Sequence, residues 1–367
     1  MSSKIDFPFG LFALHRNHTL NVGAECGLNV EVIGTMPEFC ASRKFPVLTK
    51  TIFLFVKAGR NYHPNSEENV IKLLGELDPK NLHETDKLPL KTYDSAWPSD
   101  KKIPKMFDAR KKWGKICPQI SEIQDQGYCG SCWAVSSSSA ASDRLCISSK
   151  GKFQGLLSAQ HVAFCCHKCG FGCDGGYTAM AWAFLKKGVV TGGRFNSSKG
   201  CQPYSLQPCN HNKEEASSPY PYCKTLPEEH PACRTKCTND LYTNSFRKDK
   251  HRFKTNYMLP MDVKSIQKDI MTYGPVTFSF KVHADFINYK SGVYQNTTSQ
   301  ALGRHAVRAL GWGEENGKPY WLVANSWNSY WGDQGLFKIL RGSNNCDIEA
   351  NALGGPEDLS SGTMITM

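Results

Sequence analysis

Apolar positions change their spacing near residue 250. Ahead of that point, residues 132–146 read as a helix, apolar at Trp133, Val135, Ala140, Ala141 and Leu145. Serines at 136–139 are mediocre helix formers, so tertiary packing must hold this helix. Farther upstream, Val70-Ile71-Lys72-Leu73-Leu74-Gly75 predicts another helix, capped by Asn65 or Ser66 with Glu67 and Glu68 in its first turn. Beyond residue 250, short β-rich runs at 276–282, 305–310, 320–324 and 336–340 are separated by Gly and Asn. The pattern predicts an α+β protein with a helical half and a β-barrel-like half, and it contains no internal repeats.

Composition adds a compartment. Sixteen cysteines among 367 residues point to oxidising surroundings. The 40% hydrophobic and 21% charged shares are those of an ordinary soluble protein. The net charge of +11 comes from scattered Lys and Arg without a folded basic motif, so it reads as a solvated basic face, with no nucleic acid partner. No run approaches the roughly 18 apolar residues that span a bilayer. The start, with a short apolar stretch broken by Pro8 and Gly10, makes a poor signal peptide. Asn17, Asn196 and Asn296 stand in glycan acceptor sequons.

The chemistry concentrates in Gln126-Gly-Tyr-Cys129-Gly-Ser-Cys132-Trp133. A thiol opening a helix is acidified by the helix dipole and unpaired amides. Its own N–H, with the Gln126 side chain, can receive an oxyanion. The proton acceptor would be His305, in Gly303-Arg304-His305-Ala306, and Asn325 would orient its ring. Trp327 would cover the His–Asn hydrogen bond and keep water from it. Two other readings compete: Cys129 and Cys132 as a redox Cys-x-x-Cys pair, and Cys165, Cys166, His167, Cys169 and Cys173 as zinc ligands.

Together these motifs resemble the papain family of cysteine peptidases, whose nucleophile signature is Cys-Gly-Ser-Cys-Trp. The 173 residues from Cys132 to His305 exceed the about 130–150 of papain relatives, so something is inserted. The insertion, about residues 201–237 with Cys201, Cys209, His211, Cys223, Cys233 and Cys237, resembles the occluding loop of cathepsin B. Gly200-Cys201-Gln-Pro-Tyr204, Tyr289-Lys-Ser-Gly-Val-Tyr294, Leu310-Gly-Trp-Gly313 and the run from Tyr320 to Trp327 resemble the same subfamily, in the same order.

The resemblance implies a papain-like two-domain fold, with the thiol on the helical left domain, His305 and Asn325 on the right domain, and a cleft between them. It implies an unassigned segment at 1–50, an inhibitory propeptide at 51–102, released near Lys101-Lys102-Ile103, a peptidase domain at 103–356 and a tail at 357–367. It also pairs Cys117–Cys146, Cys129–Cys173, Cys165–Cys233, Cys166–Cys169, Cys201–Cys237 and Cys209–Cys223, leaving Cys132 and Cys346 free. That pairing weighs against the redox and zinc readings. Partners implied are peptide and protein substrates, the chain's own propeptide and cystatin-like inhibitors, with no cofactor and no metal. The location implied is lysosomal or extracellular, the gut lumen included.

Several positions depart from the subfamily. His211 matches the first loop histidine and Asp125 its ion partner, but Asn212 replaces the histidine that holds a substrate's terminal carboxylate. Tyr220 and Tyr330 replace an Arg–Asp loop anchor. Both changes predict a looser loop and more endopeptidase than dipeptide-trimming activity. Gly175 and Gly176 would let substrate backbone approach, and Tyr177, Thr178, Ser279, Ala306 and Asn351 would wall the pocket for the side chain two residues before the cut. Asn351 stands where cathepsin B has a glutamate, and Arg304 where it has glycine. Small, polar or acidic side chains therefore fit better there than arginine. Arg304 would also disfavour a charged His305 unless its guanidinium points elsewhere, and Val135 and Ser136 replace a Phe-Gly pair. A catalytically weakened member that binds peptides or inhibitors is the competing reading.

Overall fold

The computed structural model describes residues 56–58, 67–93, 102–210 and 218–355. The 1–50 segment, Asn65 and Ser66, the expected release site up to Lys101, His211 and Asn212, and the tail lie outside the described residues.

Helices α1 (Glu67–Leu73) and α2 (Ala109–Trp113) precede the long α3 (Cys132–Ser148). After it come α4 (Ala159–Cys165), α5 (Thr178–Leu185) and α6 (Val263–Tyr273). The strands are β1 (Val56–Ala58), β2 (Phe107–Asp108), β3 (Leu156–Leu157), β4 (Thr191–Gly192), β5 (Tyr257–Leu259) and β6 (Val276–His283). They continue with β7 (Tyr289–Tyr294), β8 (Ala301–Glu315), β9 (Lys318–Ala324), β10 (Leu336–Leu340) and β11 (Ala352–Gly354). All four predicted β runs are strands, and the expected α+β architecture is present.

Each half has its own core. Trp133, Ala140, Leu145, Phe164, Trp182, Leu185 and Phe253 fill the helical half. Phe278, Phe280, Phe286, Trp321, Trp327 and Phe337 fill the half built on a sheet of order β1-β7-β10-β9-β8-β6-β11-β5, with β2 paired to β8. Helix α3 is buried nearly all round, which explains how it tolerates its serines. Ser136 donates to Cys132 O at 2.7 Å and Ser142 to Ser138 O at 2.6 Å, so these hydroxyls are satisfied by the helix itself.

The six disulfides are those the resemblance implied. Cys132 and Cys346 are the free, buried thiols among the described residues. Because Cys129, Cys165, Cys166, Cys169 and Cys173 are all bridged, neither a Cys129–Cys132 redox pair nor a zinc cluster on those thiolates forms. Cys201–Cys237, Cys209–Cys223 and Cys165–Cys233 staple the inserted loop to itself and to α4.

Two of the buried polar contacts that tie the halves together lie deep in the seam. Trp182 Nε1 donates to Thr277 Oγ1 at 3.0 Å, and Arg308 on β8 meets Asp143 on α3 at 2.7 Å. Residues 67–93 run over this junction. Backbone at residues 56–58 pairs with β7, and backbone at 89–91 pairs with β5, so the N-terminal segment hems both ends of the sheet.

Arg308 is the residue to test. Burial lifts the Asp143 carboxyl to about 6 even with Arg308 drawing it down. Arg308→Met strands that carboxyl, and loss of one partner of a buried pair costs about 3–5 kcal/mol. Thermal unfolding of Arg308→Met should shift down by about 10 °C. Adding Asp143→Leu should recover part of that loss.

Candidate active site

Cys132 is the first residue of α3, after Ser131, so its N–H lies in the turn where no helix carbonyl can accept it. Its Sγ is fully buried, 3.4 Å from the backbone N of Ala306, and the backbone N–H groups of Gly75 and Trp133 draw its titration down. His305 immediately precedes Ala306 on β8, paired across from Phe280.

The imidazole is oriented by Asn325, whose Oδ1 lies 2.8 Å from His305 Nε2. That oxygen also accepts the N–H of Ser326 at 2.8 Å, which fixes the amide with oxygen toward the ring. Nε2 therefore carries the hydrogen. Nδ1 has no hydrogen-bond partner among the described residues and holds the basic lone pair. Trp327 lies over the ring at 4.6 Å between centroids and 28° between planes.

Gln126 is clamped at both ends. Its Oε1 accepts from Ser326 Oγ at 2.7 Å, while Nε2 donates to Cys129 O at 2.6 Å and to Leu73 O at 2.9 Å. The Leu73 carbonyl thus sits on the donor expected to face an oxyanion. Residues 73–77 continue through the cleft with Gly75 O accepting from Gly176 N at 2.9 Å and Leu77 N donating to Gly176 O at 3.0 Å. Gly175 takes φ of 103°, a conformation natural to glycine, and places this strand edge against Gly75 and Leu77. A Cβ on Gly75 would lie 1.6 Å from Gly130 O, so only glycine passes there.

Burial sets the protonation of the pair. It pushes the Cys132 thiol up to about 12 and the His305 imidazole down to about 4, with the Asn325 bond only partly opposing the second shift. The acidification expected of a thiol at a helix N-terminus is thus overridden while residues 73–77 keep water out. Nearby Glu76 pushes the thiol in the same direction.

Glu76 is the residue that the sequence reading missed. Its carboxyl enters the predicted pocket and accepts from Thr178 Oγ1 at 2.8 Å and Thr178 N at 3.4 Å. Burial raises it to about 8, although Thr178 and Arg304 pull the other way. Its position after the helix-ending Leu74-Gly75 was the only local signal. Arg304, buried on β8, donates to Ser279 Oγ at 3.2 Å and lies 3.4 Å from Asp347, which Lys281 also approaches at 3.0 Å. Its charge is directed at Glu76 and Asp347, and the downward shift of His305 comes from burial instead. Ala306 is fully buried, while Tyr177 and Asn351 are partly exposed.

The inserted loop is moored at its base. Asn328 Nδ2 donates to Asp125 Oδ2 and to Cys209 O, both at 3.0 Å, and burial raises Asp125 to about 6. Tyr220 and Tyr330, expected to leave the loop looser, meet edge to face at 5.9 Å and so put an aromatic contact where the subfamily has an ionic one. The loop also holds α1, through Asn69 Nδ2 to Tyr222 OH at 2.9 Å and Lys72 to Glu228 at 3.4 Å.

Comparison with known proteins agrees with this geometry. The family described as papain family cysteine protease matches residues 103–355. Cathepsin B-like cysteine proteinase 4 of Caenorhabditis elegans is 49% identical over 254 residues, covering 69% of this chain and 75% of the relative. Cathepsin B-like cysteine proteinase of Schistosoma japonicum is 45% identical over 254 residues, covering 69% and 73%. Among solved structures, procathepsin B S9 of Trypanosoma congolense has a TM-score of 0.68 at 32% identity, covering 82% of this chain and 92% of that one. The chain belongs to the papain family of cysteine proteases and is cathepsin B-like.

Two variants of the full chain test the covering strand, read by the rate at which a pyridyl disulfide labels Cys132. Gly75→Val should expel the strand and speed labelling at least about tenfold. Glu76 is raised on docking from 4.5 to about 8, so its docking contribution is complete below about 4.5 and is lost as pH rises toward 8. Glu76→Gln stays neutral throughout, so it should slow labelling about tenfold at pH 7 and leave it unchanged at pH 4.

Proposed function

We propose that this papain-family member is a zymogen in which residues 51–102 are the propeptide, and residues 103–356 the peptidase freed by its removal. The observation that carries the proposal is the strand at 73–77. It lays backbone on both Gln126 and Cys132, yet pairs with Gly176 in parallel. A backbone in that direction fills the reaction centre without presenting a bond for cleavage.

With the strand gone, water returns to the cleft and the burial that keeps thiol and imidazole neutral is relieved. Cys132 Sγ passes its proton to His305 Nδ1 and attacks the carbonyl carbon of the scissile amide. Gln126 Nε2 and the Cys132 N–H hold the oxyanion. As that intermediate collapses, the C–N bond breaks, the amine leaves with the proton from His305, and the acyl group remains as a thioester. Water, deprotonated by His305, then displaces the sulfur and releases the acid. Asn325 keeps Nε2–H bonded throughout, so Nδ1 stays the working nitrogen.

The preferred action is internal cleavage, supported by Asn212 in place of a charged carboxylate anchor. In the pocket formed by Tyr177, Thr178, Ser279, Arg304, Ala306 and Asn351, the seating of Glu76 favours a carboxyl or amide side chain over arginine. Peptides and proteins are the substrates, with cystatin-like inhibitors as further ligands. The disulfides suit a lysosomal or extracellular setting.

Active-site titration of the processed protein with a thiol-directed epoxide, followed by turnover of fluorogenic peptides, tests this. Stoichiometric labelling with turnover is expected, and Cys132→Ser should lose at least about a thousandfold in kcat. Labelling without turnover would favour a weakened, peptide-binding member. A library profile should show Glu or Gln two residues before the cut, with Arg304→Gly reducing the preference for Glu about tenfold. Preference for arginine, or dominant dipeptide release, would overturn the specificity reading.

A further inference from the structure

Away from the cleft, residues 89–93 form a second contact with the body. Met258 N donates to Pro89 O at 2.9 Å and Lys91 N to Met258 O at 2.8 Å, adding an extended segment to the edge of β5 that β11 leaves open. Lys91 and Tyr93, two residues apart along this extended segment, converge on Asp269. The Lys91 ammonium lies 4.2 Å from the Tyr273 ring centroid, 4.4 Å from that of Tyr257 and 5.0 Å from that of Tyr93.

Asp269 Oδ2 lies 4.0 Å from Lys91 Nζ and accepts from Tyr93 OH at 2.7 Å and Tyr257 OH at 2.8 Å. Its other oxygen is bound by buried Arg144, which also donates to Tyr257 OH at 3.0 Å, Pro275 O at 2.7 Å and Gly274 O at 3.1 Å. Tyr273 is the last residue of α6, so the cation also sits at the helix end that favours positive charge. Aromatic faces, a carboxylate and a helix C-terminus all select a cation, and the open strand edge selects an extended backbone.

We propose that the body carries a second peptide-binding site here, which takes an extended segment bearing Lys and, two residues later, Tyr. Residues 89–93 are its resident in the full chain. The proposal rests on their departure with the propeptide. Tyr257, Asp269 and Tyr273 belong to the body and remain. In sheet order, β5 stands three strands from β8, about 14 Å at the usual strand spacing. A ligand there therefore leaves the reaction centre open, and the site can hold one part of a protein substrate while another part enters the cleft.

A fluorescein-labelled peptide of residues 87–95, titrated by anisotropy against the processed protein with and without alkylated Cys132, tests the site. Saturable binding is expected in both cases, with no binding to the full chain, whose site is occupied. Lys91→Met in the peptide should weaken binding at least tenfold and Tyr93→Phe severalfold. Tyr273→Leu in the protein should weaken binding while leaving turnover of short fluorogenic peptides unchanged. Three results would overturn the proposal: no saturable binding, a Lys91→Met peptide that binds as well as the parent, or loss of binding on alkylation. Binding by a processed protein without turnover would sink the peptidase reading and leave this one standing.

Discussion

The molecule depends on the desolvation of one thiol and one imidazole at the seam of two cores. Cys132 comes from the start of a helix buried in one half, and His305 from the central strand of the other. Their protonation follows from what covers them. With residues 73–77 in place, no charged pair forms, because separating charge in a dry site costs more than a neighbouring helix end returns. The groups around the pair are held in place by their neighbours. Gln126 is held by Ser326, Asn325 by the Ser326 N–H and its own N–H on Gly335, and the ring by Trp327. On the proposed scheme activation begins with a change of solvent exposure at this pair.

The N-terminal segment uses main chain for its most specific contacts. It pairs with β7 at one end of the sheet, with Gly176 in the cleft and with Met258 at the other end. Side chains then fix the register: Glu76 against Thr178, Asn69 against Tyr222, and Lys91 among tyrosines. Exposed strand edges invite pairing with other chains. While the segment is bound both ends of the sheet are paired, so one stretch of chain fills the cleft and covers the edges. The exposed ion pairs of α1 with the loop contribute little by comparison.

Much of this was legible in the sequence because it is local. A Cys placed to open a helix, β-branched and aromatic runs between glycines, His305 on a strand and Asn325 just after one all follow the sequence pattern. The disulfides needed the family resemblance, since spacing alone leaves many pairings open. What escaped depends on distant partners. That Arg304 turns to Ser279 and Asp347, away from the imidazole, follows from pairing across β6 and from the turn near residue 347. The destinations of Glu76 and Lys91 lie 102 and 178 positions away, at Thr178 and Asp269. Expected acidification of Cys132 failed for a related reason: the helix end is local and readable, whereas the segment lying over it is not.

Glu76 also bears on how the zymogen can open. A carboxyl raised from 4.5 to about 8 binds best when protonated, so its own contribution to docking grows as the surroundings become more acidic. Asp125, raised to about 6 at the base of the loop, responds to pH in the same direction. Acid therefore tightens these two buried contacts, while His305, held down from 6.5 to about 4 by the same cover, pulls the other way, because its protonation favours departure of the strand. On the proposed scheme acid acts on the cover in both directions, and cutting the connection near residue 102 removes its covalent tie to the body. Once cut, the strand at 73–77 and the Lys91 segment are held only by their own contacts, and dilution can carry them away.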